Sequence, residues 1–225
     1  MATNETVLAK RMNVALSAKN AKVREDAGEE GTVFTIRRID AGKLVLPTGR
    51  ICVADAYSAD QFPALNRIVS PGSYAVELVI AELPKNSPYG NDRCAFAVVT
   101  FSDLQVASWE PVTAVTPARP CFTDDTPNVI VQEGATDLFS PEAGAIHYAH
   151  LRQQFDEQLR QIRKQANSFG HNEWLNYRPS QDSANVILCE GGMGDGAYEC
   201  FVGLTKAGRV AQLVIDFGVA EPVAE

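Results

Sequence analysis

Three aspartates stand where an ionised carboxylate needs a reason. Asp55 closes the apolar run Ile51-Cys52-Val53-Ala54, Asp216 follows Val214-Ile215, and Asp195 lies inside Gly192-Met193-Gly194-Asp195-Gly196-Ala197. A carboxylate at the end of an apolar strand is costly unless it is paired, hydrogen-bonded or metal-bound. Acids at strand ends can converge on one sheet edge, and Asp55, Asp195 and Asp216 together would hold Mg²⁺ or Ca²⁺. That reading is a metal-dependent hydrolase or phosphodiesterase-like enzyme. Its rival is local: each Asp side chain caps its own turn. The glycine-rich loop offers a second kind of site, in which Gly192, Gly194, Asp195, Gly196 and Tyr198 bring bare backbone and one charge to a ligand. A glycine-rich hairpin connection or bulge explains the same residues structurally.

Other chemistries are weaker. Gly192 to Ala197 matches Gly-x-Gly-x-x-Ala, but a dinucleotide cradle needs a helix after its glycines. Here Tyr198-Glu199-Cys200-Phe201-Val202-Gly203 follows, and it reads as a strand. No Lys-Ser or Lys-Thr follows the glycines, so there is no phosphate loop, and Asp195 is too isolated for a helix-flanked calcium loop. His147 and His150 are one helical turn apart without the acid that accompanies zinc helices. No Gly-x-Ser-x-Gly elbow is present. Trp109 and Trp174 read as core or loop anchors.

A formal net charge of -8 over 225 residues argues against nucleic-acid binding through the backbone, which requires clustered Lys and Arg. Cys52, Cys94, Cys121, Cys189 and Cys200 form no Cys-x-x-Cys pair, and free buried thiols in a reducing compartment are expected. No signal-peptide core and no membrane span is read, so the expected location is cytoplasmic.

The elements that would position these residues are mostly strands. Residues 4–24 read as a helix and 24–31 as a charged, glycine-containing linker, so 1–31 is expected to be a peripheral arm or an oligomerisation helix. Residues 32–225 read as one β-rich domain. Strands are expected at 32–38, 50–55, 74–80, 93–101, 105–109, 185–189, 198–204 and 210–217, separated by Gly and Pro signals. Lys206-Ala207-Gly208 is a hairpin turn with Gly208 at positive φ. Residues 111–127 read as a surface crossing and 169–182 as a polar loop. Ser140-Pro141-Glu142 starts a long amphipathic helix to about Ala166, with Leu151, Phe155, Leu159 and Ile162 on one face. The expected class is α+β: mainly antiparallel β, a sandwich or strongly bent sheet, with that helix packed on it.

The chain resembles the bacterial domain-of-unknown-function family DUF 4241 from about Asp40 to Phe217. Leu44 to Asp55 is similar to that family's opening strand pair, and Pro71-Gly72-Ser73-Tyr74 and Trp109 to its next landmarks. Gly192 to Tyr198, Gly203, Gly208 and Asp216-Phe217 resemble its C-terminal signature. Ala56 and Ala75 depart from the pattern, as does Gln132-Glu133-Gly134 in place of an Asp-Ala-Gly turn. The resemblance implies a fold and no established chemistry.

Acidity, missing catalytic constellations and that resemblance favour a non-catalytic module of accessory, immunity or anti-defence type. It would bind a protein or a small ligand and need no cofactor, a divalent metal being required only by the enzyme alternative. A third reading is a structural homo-oligomer assembled through residues 4–24.

Overall fold

Runs of apolar and β-branched residues favour strands, and a computed structural model shows how they pair. It describes residues 4–24, 32–55, 64–87, 90–112, 128–133, 164–169, 172–178, 184–192 and 198–223. One helix, α1 (Asn4–Leu16), precedes β1 (Asn20–Val23), β2 (Val33–Leu46), β3 (Ile51–Asp55), β4 (Gly72–Glu82) and β5 (Arg93–Thr100). Then come β6 (Ser108–Pro111), β7 (Asn128–Glu133), β8 (Asn167–Phe169) and β9 (Asn172–Tyr177). The chain continues with β10 (Val186–Glu190), β11 (Glu199–Leu204), β12 (Val210–Asp216) and β13 (Ala220–Glu221).

These strands form two sheets, and the pairings between strands are antiparallel. The larger has the order β13-β1-β2-β4-β5-β12-β11-β6 and curls into a half-barrel. The smaller has the order β3-β7-β10-β9-β8. The mainly antiparallel β class expected from the sequence is therefore present. In β5, six consecutive residues from Cys94 to Val99 are buried, so both faces of the sheet centre are covered. Phe96, Leu44, Leu46, Leu78, Ile80, Leu213 and Phe217 fill this core.

The join between the sheets is polar and fully bonded. Near its middle β2 carries an irregularity between Asp40 and Lys43, with Gly42 at φ 84. Asn185, buried just before β10, accepts from Val45 N at 2.6 Å and donates to Lys43 O at 2.8 Å and to Asn176 Oδ1 at 2.6 Å. Asn176, on β9, donates to Ala41 O at 2.9 Å. The smaller sheet thus grips the bulge of the larger through two asparagine side chains.

Four expectations need correction. The helix at the N-terminus ends at Leu16, not near residue 24. Asn20 to Val23 buries alternate residues, Ala21 and Val23, and adds a strand between β2 and β13, because tertiary pairing outweighs the helix propensity of a short segment. Nor is this segment peripheral: Met12, Val14 and Ala15 are core residues, and Arg38 Nη1 caps the helix end by donating to Ala15 O at 2.8 Å. The stretch 169–182, expected as a polar loop, contains β9; its Leu175 is buried and its polar Asn176 serves the sheet join. Finally, Cys52, Cys94 and Cys189 are free and buried as expected, but Cys200 is disulfide-bonded.

The long amphipathic helix gains no support. Its body lies outside the described residues, and 164–166 at its expected end form a turn that leads into β8. Most of the 111–127 crossing, His147, His150 and Cys121 also lie outside the described residues. Among the described residues no helix is long and apolar enough to cross a membrane.

Candidate functional site

Asp216 ends β12, and its carboxylate has no exposed surface. The desolvation this implies is offset by two guanidinium groups from the N-terminal segment. Arg24 Nη2 lies 2.8 Å from both Asp216 oxygens, and Arg11 Nη2 donates to Asp216 Oδ2 from α1. Gly218 N donates to Asp216 Oδ1 at 2.9 Å, an aspartate turn made cheap by Gly218 at φ 74. Glu199 and Glu221 sit on the outer side, 3.4 Å from Arg11 Nη2 and 2.9 Å from Arg24 Nε. Arg11 also lies 5.8 Å above the Phe201 ring. Burial works against the charge of Arg11, yet the attraction and hydrogen bond of Asp216, helped by Glu221 and Glu199, raise its pKa. The cluster is an ionic lock between the N-terminal segment and the end of β12, in which Arg11 Nε and Arg24 Nε are buried without a hydrogen-bond partner among the described residues.

That lock bears on the three-aspartate reading. Asp216 oxygens are occupied by arginines, which would repel a cation. Asp195 lies outside the described residues, and of Asp55 only the backbone is described, paired to Val129 in the smaller sheet. Among the described residues no group of three or more His, Cys, Asp or Glu side chains is placed to hold a metal. The loop site is likewise split: Gly194, Asp195 and Gly196 lie outside the described residues, while Gly192 and Tyr198 are described.

Gly192 and its neighbour have a packing reason. Gly192 adopts φ 71, donates its N–H to Cys94 O at 3.0 Å, and leaves room for Tyr198 Oη. A Cβ on Gly191 would enter the ring of Phe217. Tyr198 and Phe217 stack edge to face with centroids 5.3 Å apart. At Gly203, a Cβ would press on Trp109 and Val106. Gly191 and Gly192 thus leave room for the Phe217 and Tyr198 rings near Asp216, and Gly203 leaves room for Trp109.

A concave site lies elsewhere, at the opposite end of β12. A cavity of about 530 Å³ is bounded by residues 66–70, by Tyr74 at the start of β4, by Phe101, Ser102 and Leu104, and by Thr205, Gly208, Arg209 and Val210 of the β11–β12 hairpin. Its position follows from pairing: Ala75 faces Thr100 across the β4–β5 ladder, which brings Tyr74 and Phe101 together edge to face at 5.0 Å. The segment 66–70 is tied back to the β2–β3 turn by Val69 N donating to Gly49 O at 2.9 Å. Gly49 needs φ 78 there, and any Cβ would strike the Val69 carbonyl. Ile68 and Leu104 are 58% and 51% exposed, although neither is a residue a turn prefers to show to water. Sequence reasoning missed this site because it is assembled from four separate segments, none with a motif. The available signal was those two apolar residues within polar turns.

Two antiparallel sheets joined at an asparagine-bonded bulge, with a cavity at a hairpin end, define a small β-rich scaffold. A family model described as Protein of unknown function (DUF4241) matches residues 44–119 and 114–215, and the chain belongs to this family. The matched stretch begins within β2, so α1, which carries Arg11, and β1, which Arg24 follows, lie before it. No curated protein and no solved structure matches the chain.

Proposed function

We propose that this protein is a non-catalytic module that binds a small ligand in the cavity between the 66–70 segment and the Thr205 to Val210 hairpin. The observation that carries this reading is the pairing of a preformed aromatic floor, Tyr74 on Phe101, with two exposed apolar residues at the cavity, Ile68 and Leu104. A volume of about 530 Å³ falls within the range of small-molecule sites. The described lining residues supply hydroxyls, guanidinium groups and apolar surface, and no His, Cys, Asp or Glu is among them to serve as base or nucleophile. An accessory or immunity role would then consist of capturing a ligand, not converting it.

The test is a small-fragment screen read by amide chemical shifts. Binders are expected to move Ile68, Phe101, Leu104 and Val210 together. Ile68→Ser, at an exposed position, should weaken them several-fold without changing the melting temperature. Fragments that shift other regions only, or turnover of a fragment, would overturn the reading.

A further inference from the structure

We infer that the cavity selects a small organic anion: one acidic group, carboxylate or phosphate, on an apolar or aromatic body. This inference rests on the binding reading above and adds the sign of the ligand's charge. The whole chain carries 28 acids against 20 bases, yet the described lining contains Arg67 and Arg209 and no acid. A positive wall on a negative protein is a local reversal of field, which is how a site distinguishes an anion from the bulk.

The two arginines differ in their state. Arg67 Nη2 is 2.6 Å from Glu110, a residue of β6, so its charge is half satisfied at home. Arg209 has no ion pair among the described residues, and its guanidinium is left for a ligand. Its backbone, by contrast, is held twice: Thr205 N donates to Arg209 O at 2.9 Å, and Arg209 N donates to Thr205 Oγ1 at 3.2 Å. A hairpin that fixes the backbone of a free cation lowers the ordering cost of using it.

The neighbouring hydroxyls point the same way. Thr205 Oγ1 and Ser102 Oγ each accept a backbone N–H, from Arg209 and Leu104, so each retains its hydroxyl hydrogen to donate. A guanidinium and two hydroxyl donors above an edge-to-face aromatic pair suit an acid group on an apolar body. They do not suit a cation, which would meet Arg67 and Arg209.

The probes are 4-phenylbutyrate, octanoate and phenyl phosphate, with 4-phenylbutyramide as the neutral match and 4-phenylbutylamine as the cation. Titrations of the full chain are followed by amide shifts at Arg209 and Leu104. The anions should bind roughly three- to tenfold more tightly than the amide, the amine least, since one charge-assisted contact at an exposed site is worth that much. Arg209→Met should erase the preference for 4-phenylbutyrate over its amide while leaving amide binding and the melting temperature in place. Phenyl phosphate against the two carboxylates decides which acid the site prefers. If the amide and the anions bind equally, or the amine binds best, the anion inference fails while the binding reading stands. If none of the probes moves the cavity amides, both fail.

Discussion

Arg24, the residue after β1, holds both carboxylate oxygens of Asp216 at the end of β12, each at 2.8 Å. With Arg11 on the same carboxylate, the first 24 residues are bolted to the last strand of the β11–β12 hairpin. Asp216→Ala removes the buried acid that contacts both guanidiniums and leaves Arg11 and Arg24 only the outer acids Glu199 and Glu221. A loss of about 3–5 kcal/mol is expected, because breaking a buried pair strands its partner. Urea denaturation measures it, and amide exchange should show α1 and β1 opening first. A variant as stable as the parent, with unchanged α1 protection, would mean that the lock contributes nothing.

Gly191 and Gly208 make a contrast that separates packing from ligand binding. A Cβ at Gly191 would meet the ring of Phe217, whereas at Gly208 it meets nothing within 4 Å and only the φ of 73 resists it. Gly208→Ala is expected to cost about 1 kcal/mol and Gly191→Ala about 2–3 kcal/mol, the second from overpacking a filled core. Thermal melts of both variants give the order. Equal losses, or a Gly191→Ala protein of parental stability, would remove the packing account of this loop.

How much of this was visible in the chain itself depends on how far apart the partners lie. The Lys206-Ala207-Gly208 turn was legible, because its glycine and both its strands are within a dozen residues, and Gly208 does take positive φ. Asp216 was legible as a carboxylate in need of a partner. Its partners were not, since Arg11 and Arg24 stand 205 and 192 residues away and look like ordinary charges of a helix and a linker. β9 was hidden for a related reason: Asn176 reads as a loop residue until the bulge it bonds is known. The cavity left almost no trace, as Ile68 and Leu104 acquire meaning only when four segments meet.

The sheet join supplies a polar prediction. Asn185 is 2% exposed and satisfies Val45 N, Lys43 O and Asn176 Oδ1 at once. Asn185→Ala would take this partner from Val45 N and Asn176 Oδ1, while Lys43 O keeps the longer bond from Asn176 Nδ2 at 3.3 Å, and a loss of about 1–3 kcal/mol is expected. Asn185→Asp keeps the acceptor for Val45 N but turns a donor toward Lys43 O into a repelling oxygen, so it should be no better tolerated. Chemical denaturation of the two variants decides it; an Asp variant of parental stability would show that the bulge is held by other contacts.

Cys200 gives a test of covalent state. In unfolded but unreduced protein its peptide should resist alkylation, and should accept the label once reductant is added, because the cysteine is disulfide-bonded. Peptide mass spectrometry reads this directly. Full labelling without reductant would show a free thiol there and restore the expectation drawn from the reducing cytoplasm.

Cys94 carries the pH prediction. Burial pushes its thiol well above the ordinary range, reinforced by the hydrogen bond and charge of Cys189, and its Sγ lies 3.3 Å from Phe96 O. The folded chain therefore keeps this proton at pH values where the unfolded chain has lost it. The unfolded state then binds fewer protons, so stability is full below the ordinary thiol pKa and falls as pH rises above it. Above about pH 8.5 the wild-type protein should lose up to roughly 1.4 kcal/mol per pH unit from this group. Cys94→Ala lacks the group and should show a shallower decline, even if its stability at neutral pH is lower. Urea melts at stepped alkaline pH compare the two slopes. Parallel declines would show that Cys94 ionises as easily in the fold as outside it, and that its burial on β5 does not protect the thiol.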